Sequence, residues 1–323
     1  MVDPKVSFCI STYNRPVLLK KQLQLLATQT YAQFEVVVSD NDPTKSAESV
    51  VTGMNDPRFR YFANDTNLGM VKSFNKSIER SKGEYVIMVT DDDPVIPTMI
   101  EEMLAVATAY PSYPVYCGCN RPGKEAGAIE TFGPDDFLFQ LLHPVLTPHF
   151  LWSSCLLKRE IAYKVGGMPD FGSPHLADHA LLALCSEFGG GVFINKVFSN
   201  LYAHDSNFSK SNFELYYIGC KEFYRLITEK FKQNVYQKNG VDALMKHLGG
   251  WFIANSFALR KYFTYNNKNS RFVEDVAKNS AKILELPFMQ RFYPRYVFKL
   301  IIFYFKFPYN SWVRAFRSEK KYI

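Results

Sequence analysis

The chain has 323 residues and a mass of 37.2 kDa, which fits one large α/β unit with an appended piece, or two domains. Hydrophobic residues at 47% supply a full core and exclude wholesale disorder, and an aromatic share of 16% is high for an ordinary cytosolic enzyme. The formal net charge of +7 is local: residues 291–323 hold eight of the 38 Lys/Arg but only one of the 31 Asp/Glu, Glu319, so the rest of the chain is balanced. A positive tail points to an anionic partner, either a membrane surface or a nucleic acid.

The opening apolar run, Val6 to Ile10, is shorter than a secretory signal requires, and no stretch of 18 apolar residues occurs. A cytoplasmic protein is the expectation. Cys9, Cys117, Cys119, Cys155, Cys185 and Cys220 are scattered through apolar runs and read as buried reduced thiols, with no zinc-like spacing. Strand-like runs fall at 5–11, 34–39, 59–63, 84–90 and 113–118. Helix patterns fall between them: one opened by Pro16 with Leu19, Leu23 and Leu26 on one face, then 69–81 and 97–109. This alternation predicts βαβ units and a mostly parallel, doubly wound α/β sheet. Residues 120–210 are less regular, with a strand candidate at 152–157 and a helix starting near Asp178; beyond 212 the pattern is helical at 213–231, 240–262 and 271–284.

In a doubly wound sheet the ligand sits at the carboxyl ends of the strands. The residues following the strands are polar: Ser11-Thr12-Tyr13-Asn14-Arg15, Asp40-Asn41-Asp42 and Asp91-Asp92-Asp93. Three consecutive carboxylates repel one another unless a cation joins them, and hard ions such as Mg²⁺ or Mn²⁺ accept one or two carboxylates plus phosphate and water. An acidic turn capping the next helix is the structural alternative.

Val6–Asn14, Val36–Asp40, Asn67-Leu68-Gly69, Gly83-Glu84-Tyr85 and Thr90–Asp93 occur in an order and at separations that resemble the family-2 glycosyltransferases of the GT-A fold, over residues 4–210. The resemblance implies transfer of a sugar from a nucleotide-sugar to an acceptor hydroxyl with inversion, usually with a divalent metal (Mn²⁺ or Mg²⁺). It places Asp40 against the nucleobase, with Ser39 replacing the family's first acid, and Ser11 and Tyr13 beside base and ribose. It reads the metal motif as Thr90-Asp91-Asp92, with Asp92 as metal-binding acid, Asp91 near the ribose or the metal's water shell, and Thr90 in place of the first acid. Asn67 and Lys72, with Asn75, line the donor; Asp178 is the general base; His204 completes the metal or diphosphate site. For Asp178 an N-cap role is the structural alternative. Trp152 stands on the acceptor side, able to stack on a sugar ring or to be buried. His175 and His179 read as polar wall residues rather than zinc ligands, since no Glu adjoins His175.

The tail from Tyr296 to Phe307 is apolar apart from Lys299 and Lys306 and is too short to span a bilayer. Arg291, Arg295 and these lysines suit a helix lying in a membrane interface; a core helix is the other reading. The expected organisation is a nucleotide-sugar and acceptor domain over 1–210 and a helical region over 211–323. Its expected work is sugar transfer from a UDP- or dTDP-sugar to a lipid-linked saccharide in O-antigen or capsule synthesis, at the inner face of the cell membrane and without nucleic acid. A sugar nucleotidyltransferase and a non-catalytic glycan-binding protein are the rival readings; Ser11–Arg15 lacks the glycine-rich loop of the first.

Overall fold

The computed structural model describes residues 3–143, 145–147, 150–200, 213–232, 241–266, 281–303 and 305. Among them, eight strands form one sheet in the order β3-β2-β1-β4-β7-β5-β8-β6. The first half follows the predicted alternation: β1 (Val6–Thr12), α1 (Pro16–Ala27), β2 (Phe34–Asp40), α2 (Glu48–Thr52), β3 (Phe59–Ala63), α3 (Met70–Arg80), β4 (Tyr85–Val89), α4 (Met99–Ala109) and β5 (Val115–Cys119). β1 pairs in parallel with both β2 and β4. The chain winds outward through β2 and β3, then returns to add β4 on the other side of β1. The crevice where a doubly wound sheet takes its ligand therefore lies between the carboxyl ends of β1 and β4.

These strands are apolar because both faces of the sheet are covered. Phe8 and Ile10 pack on one side with Leu19, Leu23 and Leu26 of α1 and Met99 and Met103 of α4. Cys9, Val86 and Met88 face the other way, onto Val71, Phe74 and Ile78 of α3. α1 opens with Pro16 in its first turn, where a missing N–H costs nothing. α3 opens after Gly69, whose φ of +79° a side chain would strain.

The second half is more regular than its sequence suggests. It contains β6 (Ile129–Phe132), α5 (Pro134–Leu141), β7 (Cys155–Lys158), α6 (Arg159–Lys164), α7 (Ala177–Ser186) and β8 (Gly191–Asn195). β7 runs antiparallel between β4 and β5, and β6 runs antiparallel to β8. The predicted strand at 152–157 begins instead with a 3-10 turn at Trp152–Ser154. The C-terminal helices α8 (Phe213–Lys232) and α9 (Val241–Asn266) match expectation, whereas 267–280, most of the predicted 271–284 helix, lies outside the described residues.

A third apolar cluster joins the two parts. Leu138 and Leu142 of α5 and Ala180 and Ala183 of α7 pack with Phe223 of α8, Phe252 of α9 and Met289. A further helix over 293–303 buries Tyr296 against Phe257, while Phe298, Ile301 and Phe305 are exposed. Lys299 lies over the Phe257 ring. All six cysteines are free and buried, as expected.

Candidate active site

A cleft of about 560 Å³ opens at the carboxyl ends of β1 and β4. Thr12, the last residue of β1, donates its hydroxyl to Asp91 Oδ2 at 2.8 Å. Arg15 Nη1 lies 3.2 Å from Asp91 Oδ1 and 3.2 Å from Asp92 Oδ2, so one guanidinium nitrogen bridges both carboxylates. Burial pushes the Asp91 carboxyl up to about 6; Arg15 opposes that and the Asp92 charge adds to it. This is a buried focus of negative charge that calls for a cation. Asp93 lines the cleft as well; its side chain accepts from Ser153 Oγ and its carbonyl accepts from Gln22 Nε2. Thr90, standing where an acid was expected, holds the turn by accepting the Asp93 N–H at 3.1 Å.

The end of β2 is built differently from the sequence reading. Asp40 is fully buried and does not reach the cleft. Its Oδ1 accepts from the Asp42 N–H, and its Oδ2 from the Ala47 N–H and the Tyr61 hydroxyl, each at 3.0 Å. Both oxygens thus accept bonds from the loop or from Tyr61 of β3, and Asp40 is not among the residues lining the cleft. Asn41 lines the cleft in its place. Asn41 Nδ2 donates to Asn67 Oδ1 at 2.7 Å, and Asn41 Oδ1 accepts the Leu68 N–H at 2.8 Å. Ser39 sits behind the strand, bonded to Asn64, Ser73 and Arg80.

Lys72 also departs from expectation. It is exposed, pairs with Asp170 at 3.3 Å and is not among the residues lining the cleft. Asn75 pins a loop instead, accepting the Met168 N–H and donating to the Met168 carbonyl, both at 2.8 Å. Gly167 permits this: a Cβ there would stand 2.4 Å from Asn75 Oδ1, and its φ is +75°. Spacing on α3 put Lys72 and Asn75 on a plausible face, but could not show which neighbour that face meets.

Asp178 enters from the first turn of α7 and lines the same cleft as Asp91 and Asp92. The helix N-cap position belongs to Leu176, held at φ 66°, so Asp178 is not the cap residue. Its Oδ1 accepts the His179 N–H at 2.8 Å and lies 3.1 Å from His179 Nδ1. Burial pushes its carboxyl up, but the charge and hydrogen bonds of His179 outweigh this and hold it below the ordinary value, which favours the carboxylate form. Burial drives His175 down to about 4, leaving it neutral.

The structure therefore gathers Ser11, Tyr13, Asn67, Asp91, Asp92 and Asp178 into one cleft, with Trp152, His175 and His179 as wall residues. His204 lies outside the described residues. The sequence reading missed Arg15 and Asn41, though both stand in the polar stretches it singled out. It also missed Tyr216 of α8 and Trp251 and Asn255 of α9, which complete the wall. No local signal marks these three, because ordinary amphipathic helices carry them to the site. Trp251 is 5.3 Å from the His179 ring, and Trp152 packs edge-on against Phe74 at 4.7 Å.

Residues 7–166 match the family model described as Glycosyl transferase family 2. Over 107 residues the chain is 30% identical to GalNAc(5)-diNAcBac-PP-undecaprenol beta-1,3-glucosyltransferase of Campylobacter jejuni, a stretch covering 32% of this chain and 35% of that protein. The chain matches well under half the length of the first curated relatives, 35% to 38% of each. Among solved structures, S. aureus TarS 1-349 in complex with UDP-GlcNAc aligns with TM-score 0.57 at 15% identity, covering 90% of this chain and 92% of that one. Mannosyltransferase PcManGT from Pyrobaculum calidifontis, in complex with GDP-Man and Mn²⁺, aligns with TM-score 0.53 at 17% identity, covering 88% of each. Residues 7–166 are thus similar to glycosyltransferase family 2, and the fold is GT-A.

This fold family implies a divalent metal, and the acidic pair fits one. Asp91 and Asp92 offer hard oxygen donors that already converge on a single cationic nitrogen. No cluster of three or more metal-ligating side chains occurs among the described residues. Mg²⁺ and Mn²⁺ suit such a site, since they take one or two carboxylates and complete the shell with phosphate and water.

Proposed function

We propose that the chain is an inverting, metal-dependent glycosyltransferase that moves a sugar from a nucleotide-sugar to a saccharide hydroxyl. The observation that carries this reading is the shared cleft: the Asp91–Asp92 pair from β4 and Asp178 from α7 line one hollow at the topological switch of the sheet. Tyr13, half exposed at the rim, and Ser11 take the base and ribose, and the bonded Asn41–Asn67 pair walls the donor. Asp178 accepts the proton of the acceptor hydroxyl. The hydroxyl oxygen attacks the anomeric carbon from the face opposite the nucleotide, and the bond to the diphosphate breaks with its electron pair leaving on the diphosphate oxygen. Asp92, with Asp91 beside it, would hold a divalent ion, which would supply Lewis-acid neutralisation of the charge on that leaving group. A positioned base of this kind contributes about 10²–10⁴-fold.

UDP- or dTDP-sugars are the favoured donors, in keeping with the UDP-GlcNAc bound by TarS. The acceptor is a lipid-linked saccharide of a bacterial surface polysaccharide, in keeping with the undecaprenol-linked acceptor in the Campylobacter enzyme's name. Trp152 and Trp251 offer flat apolar faces for its sugar rings. No helix among the described residues is long and apolar enough to cross a membrane. The exposed Phe298, Ile301 and Phe305, beside Arg291 and Arg295, suit docking on an anionic lipid surface. The catalytic unit is taken as 1–210 and the helical unit as 211–323, with no nucleic acid partner.

A thermal-shift screen of nucleoside diphosphates with and without Mn²⁺ tests the donor half of this reading. Ligand binding raises the unfolding midpoint by mass action. The expected result is a rise with UDP that grows when Mn²⁺ is added. Indifference to every nucleoside diphosphate, with metal present, contradicts the function.

A further inference from the structure

We propose that Arg15 is a built-in counter-cation for the Asp91–Asp92 pair, and that it yields this position to a divalent ion only when a nucleoside diphosphate is present to receive its guanidinium. The inference rests on the reading above that this pair holds the metal. Its basis is the bridging contact: both carboxylates meet the same nitrogen, Nη1, at 3.2 Å each. That nitrogen occupies the ground between two acids where a dication would seat.

The contact is built to be given up. At 3.2 Å both bonds are longer than the usual ~2.7–2.9 Å of charge-assisted pairs, and both are made by the one nitrogen, Nη1. Arg15 is the N-cap residue of α1 and precedes Pro16, which restricts its backbone, so the side chain is the part with room to swing. The side chain is 26% exposed and lines the cleft, which leaves it a path toward a bound donor. The two acids are the fixed part: their side chains are 5% and 7% exposed, and Asp91 is held from behind by Thr12.

Without Arg15 the two buried acids would repel each other; with Arg15 in place, an arriving dication meets a positive charge at its own site. A diphosphate resolves this conflict, because it accepts the displaced guanidinium in a bidentate pair and supplies oxygens to the metal. Metal and nucleotide then bind with positive coupling, and that coupling is reciprocal.

The test is Mn²⁺ binding by paramagnetic resonance, using the full chain with and without UDP. It compares wild type, Arg15→Gln and Arg15→Lys. Comparing variants at one UDP concentration cancels the affinity of UDP itself for Mn²⁺. Without UDP, Arg15→Gln should bind Mn²⁺ roughly tenfold tighter than wild type, within the ~5–150-fold range of ordinary couplings. The enhancement by UDP should shrink in the same variant. Arg15→Lys keeps the competing charge but loses the fork, so its Mn²⁺ affinity alone should stay near wild type while the UDP enhancement falls. The lysine arm decides the matter if the glutamine variant folds poorly, which its unfolding midpoint reports. Equal or weaker Mn²⁺ binding by Arg15→Gln without UDP, or an undiminished UDP effect in Arg15→Lys, overturns the proposal. If wild type binds no Mn²⁺ even with UDP, the metal reading of the acidic pair falls first and takes this proposal with it.

Discussion

Replacing Asp178 by Asn changes the fewest contacts while removing the proposed base. Asp178 Oδ1 accepts the His179 N–H at 2.8 Å, and an amide oxygen in the same place accepts it equally well. What disappears is the negative charge, whose contact with His179 Nδ1 at 3.1 Å is partly solvent-screened; that loss costs about 1 kcal/mol of stability or less. The chemical loss is much larger, because an amide cannot accept the acceptor's proton. Turnover should fall about 10²–10⁴-fold, or roughly 3–5 kcal/mol in the barrier. The assay is release of nucleoside diphosphate in the presence of acceptor, alongside calorimetric donor binding and an unfolding curve. Donor affinity and unfolding midpoint should hold while turnover collapses. Parallel loss of binding, stability and turnover would refute the base assignment and make Asp178 a structural residue of α7.

Asp40→Ala removes the acceptor of two buried N–H donors and the half-buried Tyr61 hydroxyl and should lower stability by about 3 kcal/mol in a denaturant titration; an unchanged midpoint with weakened donor binding would favour a nucleobase contact for Asp40. Trp251→Phe keeps most of the packing in a side chain that is 7% exposed, and should raise the acceptor KM several-fold with donor binding unchanged; an equal effect on both substrates would place Trp251 outside the acceptor wall. The folded state holds His175 near 4 against 6.5 for the free side chain, so the unfolded chain binds a proton that the folded chain refuses. Stability should therefore fall as pH drops from 6.5 to about 4, by at most about 3 kcal/mol, and His175→Gln should flatten that part of the profile; an identical slope in the variant contradicts it.

The βαβ half was legible because its signals are local. Short apolar strands, Pro16 at a helix start and polar residues after each strand fix both the doubly wound sheet and the edge where its site lies. β8 was missed because Gly191–Asn195 is a short run in a glycine-rich stretch, where length and periodicity say little. At the site, position along the chain indicated which elements arrive but not which way each side chain turns. Asp40 and Asp92 both follow strands that flank β1 at the same sheet edge, yet Asp40 folds back onto Tyr61 and Ala47 while Asp92 meets Arg15. Lys72 and Asn75 belong to the predicted helix, but their partners, Asp170 and Met168, lie in a loop about ninety residues away. The wall from α8 and α9 depends on long-range packing through the shared apolar cluster, which no motif encodes.

The central claim is that the acidic pair at the end of β4 holds a metal-bound nucleotide in the cleft beside β1. An anomalous difference map from crystals grown with Mn²⁺ and UDP addresses it directly. The account predicts one peak in this cleft, about 2.1 Å from a carboxylate oxygen of Asp92, with the diphosphate completing the shell and Arg15 turned onto it. A nucleotide bound elsewhere, or a metal peak remote from Asp91 and Asp92, would contradict the account.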